Sequence, residues 1–324
     1  MSWLWPFRKS NAIGAPSLDL DKATPPSRML RPCPPAVCTS ASKTSKQTNE
    51  DSHVHFRGEH IGFIAIADGL GSSPDCQIAS GLAADTVDRH LRRLDRPGAS
   101  LSMTDVAELW TNVGEAFKNY YHANFKAYPE GSHPLETTLL LAVDLPDCYV
   151  ISYVGNGSAW LVRGDYWDFF PRRWPWCITD LLIGHSSFSQ GGREVLYGTL
   201  GPIGLTSEPH TLIISKDKTY GEIVILTTDG ISSRDHARVG EDPNHKLWQE
   251  VDPYLRDILE KRLSPYLQST LTDQEKERSA HIESMVNTFL ASTTFDDDAT
   301  LGIFVSERVF QSVAESRKQG EVVS

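Results

Sequence analysis

Three strand-like segments follow one another with only a few residues between them, and this succession limits the possible folds more than any other feature of the chain. They read "TLLLAVDL", "CYVISYVG" and "AWLVRGD", with the turn residues "LPD" and "NGS" between them. Links this short join antiparallel strands, because a parallel pair needs a crossover of about a dozen or more residues. The middle of the chain is therefore predicted to form an antiparallel sheet.

The remaining strand and helix signals do not alternate regularly. Further strands are predicted at "AVCTSAS", "DSHVHF", "GFIAIA", "HTLIIS", "EIVILTTDG" and "ATLGIFV". Helical periodicity predicts one helix from Ile78 to Leu94, a second with Thr104 as its N-cap, and two more over about 247–268 and 273–291. A doubly wound sheet needs a helix between most strands. The pattern instead predicts an α+β fold of two antiparallel sheets flanked by helices.

Composition and charge exclude several classes of function. The chain has 324 residues and a formal net charge of −11, without a cluster of basic residues. Because phosphate contacts need Lys and Arg, we expect no nucleic-acid partner. No apolar run approaches the roughly 20 residues that span a bilayer, so no membrane span is predicted. Five cysteines at irregular positions, with no Cys-x-x-Cys pair, indicate reduced thiols in a cytoplasmic protein.

Both ends of the chain differ from the middle. Residues 1–34 hold six prolines and little periodicity, which predicts a flexible leader. Its start, "MSWLWPFRKS", is either a disordered end or a weak interfacial or partner-binding anchor. Residues 307–324 are interpreted as a polar tail, and this leaves residues 35–306 for the folded domain.

Acidic residues recur where predicted strands begin or end. Glu50 and Asp51 precede one strand and Asp68-Gly69 ends the next, while Asp229-Gly230 ends a later strand and an Asp triplet at 296–298 precedes the last. Each alone is more simply a turn or a solvated loop. If the strand ends converge, the carboxylates crowd together and need protons or cations to coexist. Two Mg²⁺ or Mn²⁺ ions about 3.5–4 Å apart suit such an oxygen-rich site.

The ordered set of six short motifs resembles the metal-dependent type-2C serine/threonine protein phosphatases, from about Val37 to Val305. The motifs are "NEDS" at 49–52, "ADGLG" at 67–71 followed by "AS" at 79–80, "TTLLLA" at 137–142, "YVGNGSAWLVRGD" at 153–165, "LTTDGI" at 226–231 and "DDDAT" at 296–300. Each motif is short, but their ordered combination is specific. The family implies a four-layer αββα sandwich with two metal ions at one end of the β-core.

Carried over position by position, the resemblance implies a set of metal ligands. Asp68 is expected to bridge both ions, and the Gly69 carbonyl is expected to bind one of them. Asp229 and Asp297 are expected to hold the other ion. The implied reaction is hydrolysis of phosphoserine or phosphothreonine in a protein substrate. A water that bridges two Mn²⁺ or Mg²⁺ ions attacks the phosphorus directly, without a phosphoenzyme.

Further residues complete this expectation. Glu50 and Asp51 are expected around the site, where they bind through water or orient the ligands. The protein is expected to act as a monomer. The region 166–197 matches the family poorly. Its aromatic and basic part, 166–177, either contacts an acidic phosphopeptide or covers an edge of the core.

Two departures from the family pattern affect the expected activity. Lys46 stands where the family has a phosphate-binding Arg. It either binds phosphate as a point charge, without the bidentate fork of Arg, or is an exposed lysine on a polar loop. Asn156 replaces an Asp tied to a third, weaker ion, so we expect that third site to be weak or missing. The alternatives are a weakly active or inactive relative that binds phosphoproteins or partners, and a hydrolase of small phosphoesters.

Overall fold

Two five-stranded antiparallel sheets form the centre of the computed structural model. The structure describes residues 28–29, 36–97, 100–124, 128, 133–164, 177–188, 194–231, 238–241, 247–250, 253–269 and 275–323. The strands of the two sheets are β1 (Ala36–Lys43), β2 (Asp51–Arg57), β3 (Gly62–Asp68), β4 (Leu139–Asp144), β5 (Cys148–Val154), β6 (Ser158–Arg163), β7 (Cys177–Asp180), β8 (His210–Ser215), β9 (Glu222–Thr227) and β10 (Ala299–Ser306). The spatial order is β8-β5-β4-β3-β2 in the first sheet and β1-β10-β9-β6-β7 in the second.

Helices cover the outer faces of both sheets. They are α1 (Cys76–Arg92), α2 (Met103–Asn124), α3 (Pro253–Arg256), which continues through a π-helical turn (Asp257–Leu263) into α4 (Ser264–Ser269), and then α5 (Glu275–Ser292) and α6 (Glu307–Val323). Short antiparallel pairs lie outside the two sheets. They are Arg28–Met29 with Ser100–Leu101, Ser186–Phe188 with Glu194–Leu196, Leu200–Gly201 with Gly204–Leu205, and Arg238–Glu241 with Leu247–Glu250.

Strand β3 explains how the layers stack. Phe63 and Ala65 belong to the core beneath α1 and α2, whereas Ile64 and Ile66 belong to the core between the two sheets. Successive strand residues point to opposite faces, so β3 is apolar along its length because both of its faces are covered. The helices from α3 to α6 close the outer face of the second sheet. The predicted α+β fold with two antiparallel sheets between helical layers is therefore confirmed.

The second helix begins two residues earlier than its predicted cap implies. Ser102, and not Thr104, is the residue whose side chain caps α2. The Ser102 hydroxyl accepts the N–H of Asp105 at 3.2 Å, and the Asp105 carboxylate accepts the N–H of Ser102 at 2.5 Å. This reciprocal arrangement is a capping box, in which two backbone N–H groups at the start of the helix each find a side-chain acceptor. The prediction of Thr104 as the N-cap is wrong.

The predicted helix over 247–268 is correct only from Pro253 onwards. Leu247–Glu250 is a strand paired with Arg238–Glu241, and the helix begins at Pro253. Proline is favoured in the first turn of a helix, while the residue before a proline rarely adopts helical backbone angles. The proline therefore separates a strand from a helix that periodicity alone had merged.

The segment interpreted as a polar tail is mostly helix α6. Val309 and Val313 are fully buried, and Phe310 is nearly so, in the same core as Ile223 and Val305 of the second sheet. Only a few residues of this helix are apolar, but their positions form one face, which packs against the sheet. Thus α6 contributes to the helical layer, although its overall polarity indicated a tail.

Removing the buried side chain of Phe310 in α6 should destabilise the whole fold. We expect Phe310→Ala to lower the free energy of unfolding by about 3–5 kcal/mol, because it leaves a cavity in the core. The guanidinium of Arg278 also loses its ring contact, 4.7 Å from the Phe310 centroid. Urea titration followed by circular dichroism measures the change. The matched control is Gln311→Ala at the next, exposed position, with an expected change within about 0.5 kcal/mol. Equal stability of the two variants would contradict the packing role.

Several sequence-based predictions lie mainly outside the described residues. Of the predicted leader 1–34, the structure describes only the strand Arg28–Met29. Of the insert 166–177, it describes only Cys177, at the start of β7. Among the helices that are described, none combines the length and the apolar character needed to cross a membrane.

Candidate metal centre

The candidate site begins with two carboxylates that face each other across a hairpin. Asp51 is the first residue of β2 and pairs directly with Asp68, the last residue of β3. Asp229 follows the end of β9, and Asp297 precedes the start of β10. Because β9 and β10 are antiparallel neighbours, with Thr227 opposite Leu301, these two positions lie at the same end of the second sheet. The strand ends therefore converge as predicted.

Asp51 joins the two sheets at this end. Its Oδ2 accepts the hydroxyl of Thr228 at 2.8 Å and the hydroxyl of Thr300 at 2.7 Å. Both threonines belong to the second sheet or its edge, whereas Asp51 belongs to the first. These threonines lie within the motifs "LTTDGI" and "DDDAT", which by themselves suggest no role for them. Their position beside the acidic residues is the only sequence signal that indicates them.

Asp51, Asp68 and Asp229 form what we call the acidic cluster. Burial raises the pKa of Asp68 well above its usual range, and the neighbouring charges of Asp51 and Asp229 raise it further. Burial also raises the pKa of Asp51 to about 6, although the hydroxyls of Thr300 and Thr228 oppose the shift. The Oδ1 atom of Asp51 is buried without a hydrogen-bond partner. The cluster therefore holds more negative charge than its surroundings neutralise.

The backbone of Asp68 is fixed by the strand that carries the "TTLLLA" motif. Thr138 accepts the N–H of Asp68 through its Oγ1 at 3.1 Å, and the Thr138 N–H donates to the Asp68 carbonyl at 2.8 Å. The Thr137 hydroxyl donates to the same carbonyl at 2.8 Å. These bonds hold the end of β3 in place, so the carboxylate of Asp68 projects from a rigid strand end.

Each Asp-Gly pair needs its glycine for steric reasons. A Cβ at Gly69 would lie 2.5 Å from the carbonyl oxygen of Cys76, and a Cβ at Gly230 would lie 1.9 Å from the carbonyl oxygen of Asp298. No side chain fits at those distances, because another backbone segment passes directly over each glycine. Gly69 also donates its N–H to the Glu50 carbonyl at 3.1 Å. The Asp-Gly pairs are thus points of close backbone approach within the site.

Asp298 is the buried member of the acidic triplet. Its Oδ1 accepts the N–H of Ser45 at 2.7 Å and the hydroxyl of Thr44 at 2.9 Å, while its Oδ2 accepts the N–H of Glu50 at 2.7 Å. Burial alone would raise the pKa of Asp298, but these hydrogen bonds outweigh burial and lower it. Asp298 therefore fixes the 44–50 loop, a role that the sequence does not indicate, since Asp297 is the member of the triplet that the family resemblance assigns to the metal site.

The two positions that depart from the family pattern both contact predicted metal ligands. Lys46 Nζ lies 2.5 Å from Glu50 Oε2 and 2.7 Å from Asp297 Oδ1. Burial would lower the pKa of Lys46, but the two carboxylates outweigh burial and raise it. Asn156 donates its Nδ2 to Asp229 Oδ2 at 2.8 Å. We call the first arrangement the lysine bridge.

The donor set of the acidic cluster fits a hard divalent cation. Within the part of the chain that the structure describes, no group of three or more His, Cys, Asp or Glu side chains has the spacing of a preassembled metal site. The acidic cluster nevertheless offers carboxylate oxygens, which Mg²⁺ and Mn²⁺ prefer, and the unpartnered Asp51 Oδ1 adds a further oxygen. The site thus brings Asp51, Asp68 and Asp229 together, while Glu50 and Asp297 meet at Lys46. Their roles as ligands stay predictions.

Removing one hydroxyl donor from Asp51 should destabilise the fold. We expect Thr300→Val to cost about 1–3 kcal/mol, because a buried carboxylate loses one of its two hydroxyl partners. Urea titration at pH 7.5 with EDTA measures the change. The matched control is Thr111→Val on the exposed face of α2, where the hydroxyl bonds only a helix carbonyl, at 3.0 Å. A Thr300→Val variant as stable as this control would contradict the bridging role.

Comparison with known proteins gives one family match. Residues 40–170 match the family model described as "Protein phosphatase 2C". This range contains Lys46, Asp68 and Asn156 but ends before Asp229 and Asp297. No curated protein sequence matches the chain.

Solved structures share the fold at low sequence identity. The serine/threonine phosphatase Stp1 from Staphylococcus aureus is 16% identical with a TM-score of 0.57, over 87% of this chain and 99% of that chain. PppA, a regulatory component of the T6SS in Pseudomonas aeruginosa, is 17% identical with a TM-score of 0.54, over 86% and 100%. The Mycobacterium tuberculosis serine/threonine phosphatase PstP/Ppp is 17% identical with a TM-score of 0.51, over 84% and 99%. At these identities the likeness establishes the fold.

Proposed function

We propose that this chain, in which residues 40–170 match the Protein phosphatase 2C family model, is a metal-dependent protein phosphatase that hydrolyses phosphoserine and phosphothreonine. The observation that carries this proposal is the acidic cluster, in which three carboxylates from both sheets share one partly buried end of the β-core. A purely structural cluster of this kind would be unfavourable, because like charges in a low dielectric repel. Bound divalent cations would offset this repulsion, so a function that uses them accounts for the cluster.

The chain's own residues hold and orient the site. Asp68, Asp229 and Asp297 would bind two Mn²⁺ or Mg²⁺ ions, with the Gly69 carbonyl as a further ligand. Bound there, the ions would activate water for direct attack on phosphorus and offset charge on the phosphoryl oxygens. Glu50 approaches the same space from the 44–50 loop, which Asp298 holds in place.

Three residues are proposed to support these ligands. Asp51 is held by the hydroxyls of Thr228 and Thr300 and orients the other two carboxylates of the acidic cluster. Lys46 binds the substrate phosphate as a point charge when it leaves its carboxylate partners. Asn156, as a neutral amide, leaves a third metal site weak or missing, because an amide is a poorer cation ligand than a carboxylate. We also propose that the protein works as a cytoplasmic monomer. The cytoplasmic location is supported by free thiols at Cys38, Cys76 and Cys148.

A weakly active or inactive phosphoprotein-binding protein is the second candidate. The lysine bridge and the Asn156 contact favour it, because each occupies an oxygen of a predicted metal ligand. A protein that used its fold only for binding would have no need to release those oxygens. The two candidates therefore differ in whether divalent cations produce turnover.

Phosphate release with and without Mn²⁺ separates these candidates. The substrates are a phosphothreonine peptide, a phosphoserine peptide and p-nitrophenyl phosphate, and the proteins are the wild type, Asp229→Ala and the exposed-site control Asp85→Ala on α1. We expect Mn²⁺-dependent release from the peptides by the wild type and the control, and none by Asp229→Ala. Binding of phosphopeptide without release would support the second candidate. Preference for p-nitrophenyl phosphate over both peptides would instead indicate a hydrolase of small phosphoesters.

A further inference from the structure

The lysine bridge places a cation of the chain itself at a predicted metal ligand. The Lys46 ammonium lies 2.5 Å from Glu50 Oε2 and 2.7 Å from Asp297 Oδ1. Both distances are those of charge-assisted hydrogen bonds. The ammonium therefore occupies one of the two carboxylate oxygens of Asp297 and places a positive charge beside a predicted metal ligand.

The loop that carries Lys46 is fixed on the same side as Asp297. Thr44 Oγ1 accepts the N–H of Lys46 at 3.1 Å and donates to Asp298 Oδ1 at 2.9 Å. The N–H of Asp298 in turn donates to Asp297 Oδ1 at 2.7 Å. Lys46 and its carboxylate partner are thus connected through a short chain of hydrogen bonds. Because the backbone is held in place, only the lysine side chain loses freedom when the bridge forms.

The acidic cluster differs from the lysine bridge in how its charge is balanced. Asp229 receives a neutral amide from Asn156, and Asp51 receives two neutral hydroxyls. Neither of these neighbours brings a positive charge. An ion held by Asp68 and the Gly69 carbonyl therefore meets no ammonium, whereas the ion shared by Asp229 and Asp297 competes with the Lys46 ammonium at Asp297. The two halves of the site should differ in affinity for the same cation.

We propose that Lys46 is a tethered cation that competes with a divalent ion for Asp297, so that the two ions of the site bind with unequal affinity. The proposal rests on the proposed function, because it takes Asp297 as a metal ligand. Ion pairs of this exposure contribute up to about 1 kcal/mol each, which corresponds to roughly fivefold in an equilibrium constant. Two such pairs, to Glu50 and to Asp297, weaken binding of the second ion by about tenfold, within an upper limit of about thirtyfold.

Isothermal titration of the metal-free full-length chain with Mn²⁺ tests this competition. We expect the wild type to bind one ion tightly and a second ion more weakly. Lys46→Met removes the charge but keeps the length of the side chain, and it should tighten the second ion by about tenfold. Lys46→Arg keeps a cation and should resemble the wild type. The matched control is Lys43→Met, three residues earlier, where the ammonium contacts the Thr293 carbonyl and no carboxylate.

The outcomes separate the proposal from its premise. Equal Mn²⁺ affinity in the wild type and Lys46→Met would overturn the proposal, and so would an equal gain in Lys43→Met, which would indicate a long-range charge effect. Tighter Mn²⁺ binding by Lys46→Met, in a protein that shows no phosphatase activity, would support the competition but contradict the proposed function. Absence of Mn²⁺ binding to every variant would overturn both. Lys46→Gln serves as a second neutral variant, and thermal melting in EDTA confirms that each protein is folded.

Discussion

Replacing Asp68 with asparagine should abolish metal-dependent phosphate release and, in the same protein, stabilise the metal-free fold. Activity should fall by about a thousandfold or more, equivalent to about 4 kcal/mol of transition-state stabilisation, because the proposed central ligand loses its charge. Stability in EDTA should rise by about 1–2 kcal/mol, because the repulsion that raises the pKa of Asp68 disappears. Phosphopeptide assays with Mn²⁺ and urea titrations with EDTA measure the two effects.

The opposite signs of these two effects make the Asp68→Asn prediction specific. A residue that only supports the fold would lose activity and stability together. The matched control is Asp85→Asn, an exposed carboxylate on α1, which should change neither quantity appreciably. Retained activity in Asp68→Asn would contradict the ligand role, and a loss of stability in EDTA would contradict the crowding of carboxylates.

The acidic cluster should stabilise the metal-free protein more at pH 5 than at pH 7.5, which is contrary to the usual contribution of paired carboxylates. The pKa of Asp51 is raised from 3.8 to about 6 in the folded state, and that of Asp68 is also raised. At these two residues the folded state therefore holds more protons than the unfolded chain, so this stabilisation is complete below about pH 4 and is lost as the pH passes through about 6. For Asp51 alone, the loss is on the order of 3 kcal/mol over the whole titration, and about half of it falls between pH 5 and pH 7.5. Burial lowers the pKa of His53, His55, His90 and His185, and these groups contribute in the opposite direction.

Urea titrations at several pH values in EDTA test this dependence, and Mn²⁺ provides the second arm. With Mn²⁺ bound, cations replace protons as partners of the carboxylates, so stability should rise with pH over the same range. Asp51→Asn lacks the Asp51 contribution, so the stability of the wild type relative to this variant in EDTA should fall from pH 5 to pH 7.5. A difference between the two proteins that stays constant or grows over this range would contradict the raised pKa of Asp51 in the acidic cluster.

Much of the β-core could be predicted because its strands are short, apolar and separated by clear turns. The apolar run Phe63–Ala67 indicated a strand, and the structure buries every one of these residues. The Asp-Gly pairs after β3 and β9 suggested that these strand ends meet, and Asp68 and Asp229 do lie together at one end of the β-core. Local patterns of this kind depend on a few adjacent residues and can therefore be identified from the sequence.

The contacts that balance the charges could not be predicted in the same way. The pairing of Lys46 with Asp297 joins two distant loops, and no periodicity or turn signal links them. The same applies to the hydroxyls of Thr228 and Thr300, which come from the second sheet. Helix α6 was missed for a different reason: its buried face contains few apolar residues, so its composition resembled that of a tail.

Asp51 bonds hydroxyls that lie 177 and 249 residues further along the chain. Bringing such distant segments together is slow compared with forming local hairpins. The hairpin of β2 and β3 can form early during synthesis, but Asp51 cannot bond the Thr300 hydroxyl until β10 has also been synthesised. The two hydroxyl partners of Asp51 therefore reach this end of the β-core later than the hairpin that carries the carboxylate.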